Sequence, residues 1–218
     1  MKIQQVFPGV YRFGRDIGTL NSAPGFRVYG ERVLHEHGRE YRIWDPFRSK
    51  IAAGLLKGLK SFPMSPSSNV LYLGASSGTT ASHIADITTG QVYCVEFSSR
   101  MMRELMLVCD RKRNMVPILG DARHPWEYDS LVVSADVLIQ DVAQPDQASI
   151  LLSNAEYYGI KKALISIKAR SINSIKSPKE VFEGELAKIS EKFSILQRID
   201  LMPYDEDHIL VSVEAKNA

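Results

Sequence analysis

Two hydrophobic periodicities divide the chain. Through the first forty or so residues, short apolar-rich runs such as Val10-Tyr11-Arg12-Phe13 and Phe26-Arg27-Val28-Tyr29 are broken by Gly9, Gly14, Gly18, Gly25, Gly30 and Gly38. Arg32-Val33-Leu34 and Tyr41-Arg42-Ile43-Trp44 flank His37-Gly38, a hairpin-turn pair. This pattern predicts a small β-hairpin subdomain over residues 1–43, whose edge strands need cover. A second domain is expected over residues 44–218. Asp45-Pro46 can start a helix there, with an apolar stripe of Ile51, Leu55, Leu56 and Leu59. A Pro/Ser-rich connector, Ser61 to Ser68, follows. Strands are then predicted at Val70–Leu73, Val92–Phe97, Val116–Leu119, Val137–Gln140, Ala163–Ile167, Ile195–Leu201 and Ile209–Val213. Helices are predicted at Thr80–Ile87, Arg100–Arg111, Gln147–Tyr158 and Lys179–Lys192. Apolar strands alternating with helices predict an α/β fold with a parallel sheet covered on both faces. The last two strands are joined only by Pro203 to Asp207, a link short enough for antiparallel neighbours, so the final strand should run against the rest.

Composition narrows this picture. The 218 residues suffice for one α/β domain plus a small appendage, and 44 % are apolar. The formal net charge of +2 is too small for a protein that holds nucleic acid unaided through a strongly basic surface. Cys94 and Cys109 are too few for a disulfide framework, and neither CxxC nor a His-rich cluster suggests zinc, so no metal is expected. No apolar run approaches the roughly 20 residues of a membrane span, and a cytoplasmic protein without membrane contact is expected.

Leu71-Tyr72-Leu73-Gly74-Ala75-Ser76-Ser77-Gly78-Thr79-Thr80 reads as a strand, a small-residue loop and a helix start. Small residues admit a ligand close to the backbone, and the helix N-terminus offers free N–H groups. Glu96 closes the next strand, 22 residues after Gly74, where an acid can hold two ribose hydroxyls. Gly120-Asp121-Ala122 follows the third strand, with an acid placed for an adenine amino group. Asp141-Val142-Ala143-Gln144 ends the fourth, beside the same crevice. A dinucleotide loop would read G-x-G-x-x-G. Here the second glycine is Ser76, and no glycine is expected at the close helix contact, so a methionine-adenosine ligand fits better than a pyrophosphate. With the reversed last strand, the expectation is a Rossmann-like class I S-adenosylmethionine-dependent methyltransferase sheet behind a small N-terminal β subdomain.

Four runs together resemble one family: Tyr41-Arg42-Ile43-Trp44-Asp45-Pro46-Phe47-Arg48-Ser49-Lys50, the Gly74–Thr80 loop with its strand, Gln140-Asp141-Val142-Ala143-Gln144-Pro145, and Ile167-Lys168-Ala169-Arg170-Ser171-Ile172. They resemble the fibrillarins, the RNA-guided ribose 2′-O-methyltransferases, in their archaeal form, over nearly the whole chain. The resemblance implies an S-adenosyl-L-methionine pocket drawn from Gly74, Ala75, Ser76, Gly78, Thr79, Thr80, Glu96, Phe97, Asp121, Ala122, Asp141, Val142, Ala143 and Gln144. It implies a catalytic set of Lys50, Asp141, Lys168 and His208. It implies box C/D guide RNA, target rRNA or tRNA, a Nop-domain scaffold protein and a kink-turn-binding protein of ribosomal type as partners. The sequence departs from the pattern at Tyr158-Gly159-Ile160, which lacks a Gly-Gly pair, at Asn173, and at Asp205-Glu206-Asp207 before His208.

The chemistry asked of these residues is methyl transfer to a poor nucleophile. Alignment of the reactants contributes roughly 7–11 kcal/mol, against about 10²–10⁴-fold for a positioned base. Docking therefore outweighs any one side chain. Lys168 ends an apolar strand, where desolvation favours a neutral amine, and can serve as base or as stabiliser of the alkoxide. Asp141 can orient it, while Lys50 and His208 reach ribose or phosphate. Taken singly, each reads as a solvated charge, and their joint match raises them. Trp44, Phe47 and Trp126 can stack on bases, but core packing is the expected role of each. Arg111-Lys112-Arg113 is expected to be a solvated helix end. Two further readings stay open: a methyltransferase acting on protein glutamine, and a noncatalytic cofactor-binding scaffold of an RNA particle.

Overall fold

The computed structural model describes residues 3–216; the first two residues of the first expected unit and the last two of the second lie outside the described residues. Among the described residues the chain forms two sheets. The first is antiparallel and holds β1 (Ile3–Phe7), β2 (Val10–Phe13), β3 (Asp16–Leu20), β4 (Val33–Glu36) and β5 (Arg39–Ile43), in the order β1-β2-β3-β5-β4. His37 and Gly38, at φ 51° and 73°, make the β4–β5 turn. Both central residues of such a two-residue hairpin need positive φ. The run Phe26–Tyr29 is not a strand. The Glu31 carboxylate accepts hydrogen bonds from the amides of Val28 and Tyr29, which folds that run into turns.

The second sheet holds β6 (Val70–Leu73), β7 (Val92–Glu96), β8 (Met115–Leu119), β9 (Val137–Gln140), β10 (Lys162–Lys168), β11 (Phe193–Asp200) and β12 (His208–Ala215). Their order is β11-β12-β10-β9-β6-β7-β8. The ladders from β8 through β10 are parallel, and β12 runs antiparallel to both β10 and β11. The reversal expected of the last strand is present. Side-chain alternation assigns the faces. Val70 and Tyr72 point to one core, under α1 (Lys50–Leu56), α2 (Thr79–Ile87) and α3 (Ser99–Cys109). Leu71 and Leu73 point to the other, under α4 (Gln147–Tyr157) and α6 (Pro178–Ile189). A single helical turn, α5 (Ala169–Ile172), follows β10.

The first helix does not start at Asp45-Pro46. Asp45 caps a turn by accepting from the Phe47 amide, and α1 begins at Lys50 with Ser49 as its N-cap. Leu59 lies beyond the helix but still joins the core. Both cysteines are free, Cys94 buried and Cys109 half-buried. No helix among the described residues is long and apolar enough to cross a membrane.

The two sheets are joined by buried charge. Asp86, on α2, accepts from Arg42 Nη1 of β5 at 2.9 Å and from Lys112 Nζ at 2.5 Å, and none of these three side chains is exposed. Arg42 also donates to Glu31 at 2.5 Å and to Ser82 of α2 at 2.9 Å. Thr19 of β3 donates to Asp86 at 3.0 Å and contacts His83 Nδ1 at 2.8 Å. The His83 ring stacks on Trp44, 4.8 Å between centroids. Burial, and then the Arg42 and Lys112 charges, push its pKa well below the ordinary histidine value, so it packs as a neutral ring. Lys112 is therefore no solvated helix end: α3 stops at Cys109, and Lys112 turns inward to Asp86 and Asn21. Removing Asp86 would leave Lys112 buried without its counter-charge and Arg42 with Glu31 alone. Asp86→Ala should destabilise the protein by about 3–5 kcal/mol, measured by urea unfolding; a loss under about 1 kcal/mol would show that the joint does not depend on it.

Candidate active site

The parallel strands change direction of progression between β6 and β9, and at such a switch point the strand C-termini open a crevice. Gly74 ends β6 there at φ 80°, and a Cβ on it would lie 2.5 Å from the Asp141 carbonyl oxygen. A glycine is required both by the backbone conformation and by this contact. The Asp141 amide in turn donates to the Leu73 carbonyl at 2.9 Å. The loop continues through Ser76, at φ 50°, whose amide donates to Glu96 Oε2 at 2.8 Å. The other Glu96 oxygen accepts from the Ser98 amide at 2.7 Å. Gly78, at φ 89°, is the N-cap of α2 and supplies no side-chain cap, so the amides of its first turn face the loop. Contrary to the expectation, Gly78 also serves a close helix contact, because its Cβ would lie 2.9 Å from Leu105 Cδ1 on α3.

A cleft of about 250 Å³ lies over these strand ends. Of the positions expected in the pocket, Gly74, Ser76, Glu96, Phe97, Asp121, Ala122 and Asp141 to Gln144 line it. Ala75, Gly78, Thr79 and Thr80 do not. Thr80 is buried and donates to Ser49 Oγ at 3.1 Å, which links the start of α2 to the cap of α1. Val95, Gly120 and Lys168 complete the lining, and the first two were not picked out as pocket residues. Gly120 stood beside Asp121 in the sequence signal, whereas nothing in the sequence marked Val95. Asp121 is bound by Arg123, whose Nη2 donates to it at 2.5 Å. That hydrogen bond holds the Asp121 carboxyl below the usual carboxylate range. Phe97 is exposed at the cleft's lip. Phe47 and Trp126 are also exposed, so of the three aromatics given a core role only Trp44 has it.

Next to the cleft five side chains gather. Lys168 Nζ is 3.0 Å from Asp141 Oδ1, and Lys50 Nζ is 3.4 Å from Asp141 Oδ2. Lys50 also lies 3.4 Å from Asp205, whose other oxygen is 2.9 Å from His208 Nδ1. Lys168 and His208 are directly paired across β10 and β12. The Lys50 side chain is only 20 % exposed, and that of Lys168 only 16 %. All four residues of the expected set meet here, and Asp205 is the member that sequence reasoning missed. It stood in the acidic run that departs from the family pattern, and it bridges Lys50 to His208. The other departures have local causes. Gly159, at φ 66°, turns the chain after α4, and Asn173 accepts from the amides of Ile175 and Lys176.

This sheet order with a reversed last strand, and a small-residue loop facing two acids at the switch point, defines the α/β methyltransferase class. The chain belongs to the fibrillarin family, whose family model matches residues 1–217. A fibrillarin-like rRNA/tRNA 2′-O-methyltransferase of Thermococcus sibiricus is 50 % identical over 217 residues, 95 % of this chain and 96 % of that one. A crystal structure of Aeropyrum pernix fibrillarin with natively bound S-adenosyl-L-methionine superposes with a TM-score of 0.88 at 42 % identity, covering 98 % of each chain. A fibrillarin/Nop5p complex gives a TM-score of 0.90 at 38 % identity, covering 98 % of this chain and 100 % of that one.

Burial pushes the Asp141 pKa up, but the ammonium charges of Lys168 and Lys50 outweigh it and hold the carboxyl below the ordinary range. A depressed carboxylate contributes stability above its unfolded pKa, and that contribution is lost as pH falls through the folded pKa. Asp141 should therefore titrate below the ordinary carboxylate range by carboxylate NMR. Lys168→Ala should move the titration upward. A normal value that ignores the lysine would remove the ion pair from the account.

Proposed function

We propose that this chain transfers a methyl group from S-adenosyl-L-methionine to ribose 2′-hydroxyls of rRNA, and of tRNA, at positions chosen by box C/D guide RNA. The observation that carries this reading is Asp141, which lines the cleft and at the same time pairs with Lys50 and Lys168. A cofactor site and a cluster suited to a hydroxyl thus share one residue. The cleft fits the cofactor on its own terms. Gly74 leaves the space a Cβ would fill, the α2 N-terminus faces the loop, and Glu96 and Asp121 offer carboxylates to hydroxyls and an amino group. When bound, the cofactor supplies a methyl group activated on a sulfonium.

In this reading Glu96 takes the ribose hydroxyls and gives up its tie to the Ser76 amide, Asp121 takes the adenine edge, and Phe97 covers the ring. Gly74, Ser76 and Asp141 to Gln144 shape the wall, while Ala75, Gly78, Thr79 and Thr80 set the loop and helix from behind. Lys168 acts as a fixed positive charge: it sits in an ion pair with Asp141, the arrangement that serves a developing alkoxide. Asp141 orients both ammonium groups. Lys50 and His208, tied through Asp205, take ribose or phosphate oxygens.

A charge of +2 leaves sequence recognition to base pairing and to partners. The partners are guide and target RNA, a Nop-domain scaffold protein, in keeping with the relative's Nop5p complex, and a kink-turn-binding protein, in the cytoplasm. Residues 1–43 and 44–218 act as two units, the first holding α1 and its Lys50 in place.

Glu96→Ala should weaken cofactor binding by about 1–3 kcal/mol in calorimetry, and unchanged affinity in a folded variant would remove Glu96 from the site. In the particle reconstituted with guide and partners, Lys168→Ala should slow single-turnover methyl transfer by about 10²-fold with cofactor affinity kept. Lys168→Arg should restore part of the rate, because it keeps the charge. An arginine variant as slow as the alanine one would instead assign Lys168 to base catalysis. Robust site-specific methylation by the chain alone would overturn the guided reading.

A further inference from the structure

Directly beneath the Lys50–Asp141–Lys168 cluster is a cavity of about 10 Å³, enclosed by α1, α2 and strands β6, β9, β10 and β12. Space of that size accommodates one water molecule. Part of its wall is apolar, from Ile51, Ile139, Leu164 and Leu210, but Tyr72, Thr80, Asp141 and Ser166 also line it. Ser166 is 2 % exposed, and its Oγ has no hydrogen-bond partner. Alternation along β10 aims it to the same face as Leu164 and Lys168, and Leu210, paired with it across the ladder, belongs to the same core. Asp141 Oδ1 is buried too, and its 3.0 Å contact with Lys168 lacks hydrogen-bond geometry. One wall therefore carries an unpaired hydroxyl beside a buried carboxylate oxygen that has only its ion pair with Lys168 and can accept further, and buried polar atoms are nearly always paired in folded proteins.

We propose that one buried water occupies this cavity, accepting from Ser166 Oγ and donating to Asp141 Oδ1, and that Ser166 is thereby a positioning residue for the Asp141–Lys168 pair. The Tyr72 and Thr80 side chains, themselves hydrogen-bonded, supply the remaining oxygens such a water requires. From Thr80 the connection runs to Ser49, which caps the helix that Lys50 begins, so the same polar strip supports both lysines. Pinning Oδ1 from below stops the carboxylate from rotating between its two cations. The water itself follows from the geometry, whereas its effect on rate rests on the proposed function.

A high-resolution crystal structure of the full chain should show an ordered water between Ser166 Oγ and Asp141 Oδ1, and Ser166→Ala should lose it. Carboxylate NMR should show Asp141 of Ser166→Ala titrating at higher pH than wild type, since its anion has lost a hydrogen bond. In the reconstituted particle Ser166→Ala should lower kcat about five- to tenfold, with the cofactor KM and the melting temperature unchanged. No water density in the wild type overturns the proposal whatever the enzyme does. Water present but an unchanged Asp141 titration and rate overturns the positioning role. A wild-type particle that methylates no RNA defeats the proposed function and leaves the water to be judged by density and titration.

Discussion

The arrangement depends on a single buried carboxylate. Asp86 takes Arg42 from the N-terminal sheet and Lys112 from the chain after α3 without any exposure to solvent. Such a joint is strong only when each charge keeps its partner, since removal of one strands the others in a medium that cannot hydrate them. Glu31, Ser82, Thr19 and Asn21 complete the hydrogen bonding. The result is a sheet that cannot slide on α2. Trp44 leaves that sheet directly beneath His83, and six residues later α1 begins with Lys50.

The N-terminal sheet is therefore part of the site by position. It contributes no residue to the cleft, yet it sets the helix that carries one of the two cations facing Asp141. The second cation comes from β10 in the main sheet. Asp141 receives one lysine from each layer, and its depressed pKa reflects both. The contact of Gly74 with the Asp141 backbone closes the arrangement from the cofactor side. Cofactor cleft and ionic cluster are thereby held in register by the ends of β6, β9 and β10, the rigid placement that alignment-dominated catalysis needs.

Much of this was legible in the residues. The main-sheet strands and their helices fell within a few positions of the predicted spans, because buried parallel strands are continuous apolar runs between helical stripes. The reversed last strand followed from the five residues of Pro203 to Asp207. Errors came where side chains cap backbone. Asp45-Pro46 looked like a helix start but closes a turn, and Ser49 starts α1 instead. Phe26–Tyr29 looked like a strand, but Glu31 takes its amides. Lys112 looked solvated, because a basic triplet carries no sign of the distant Asp86 that buries its middle member.

Hydrophobic periodicity, turn glycines and motif spacing determined the fold class, the loop after β6 and the acids at the strand ends, since all of these are local or periodic properties, whereas the four residues of the ionic set were named only through the family resemblance. The tertiary structure alone decided which groups share a space. It turned Thr80 from the cleft to the cap of α1, inserted Asp205 between Lys50 and His208, and buried Ser166 beside Asp141. Each of these pairs residues at least thirty apart or on different elements, except the Asp205–His208 contact, which exists only because β12 begins where β10 ends. Contacts of that kind come from packing two layers against one sheet, and no window along the chain contains them.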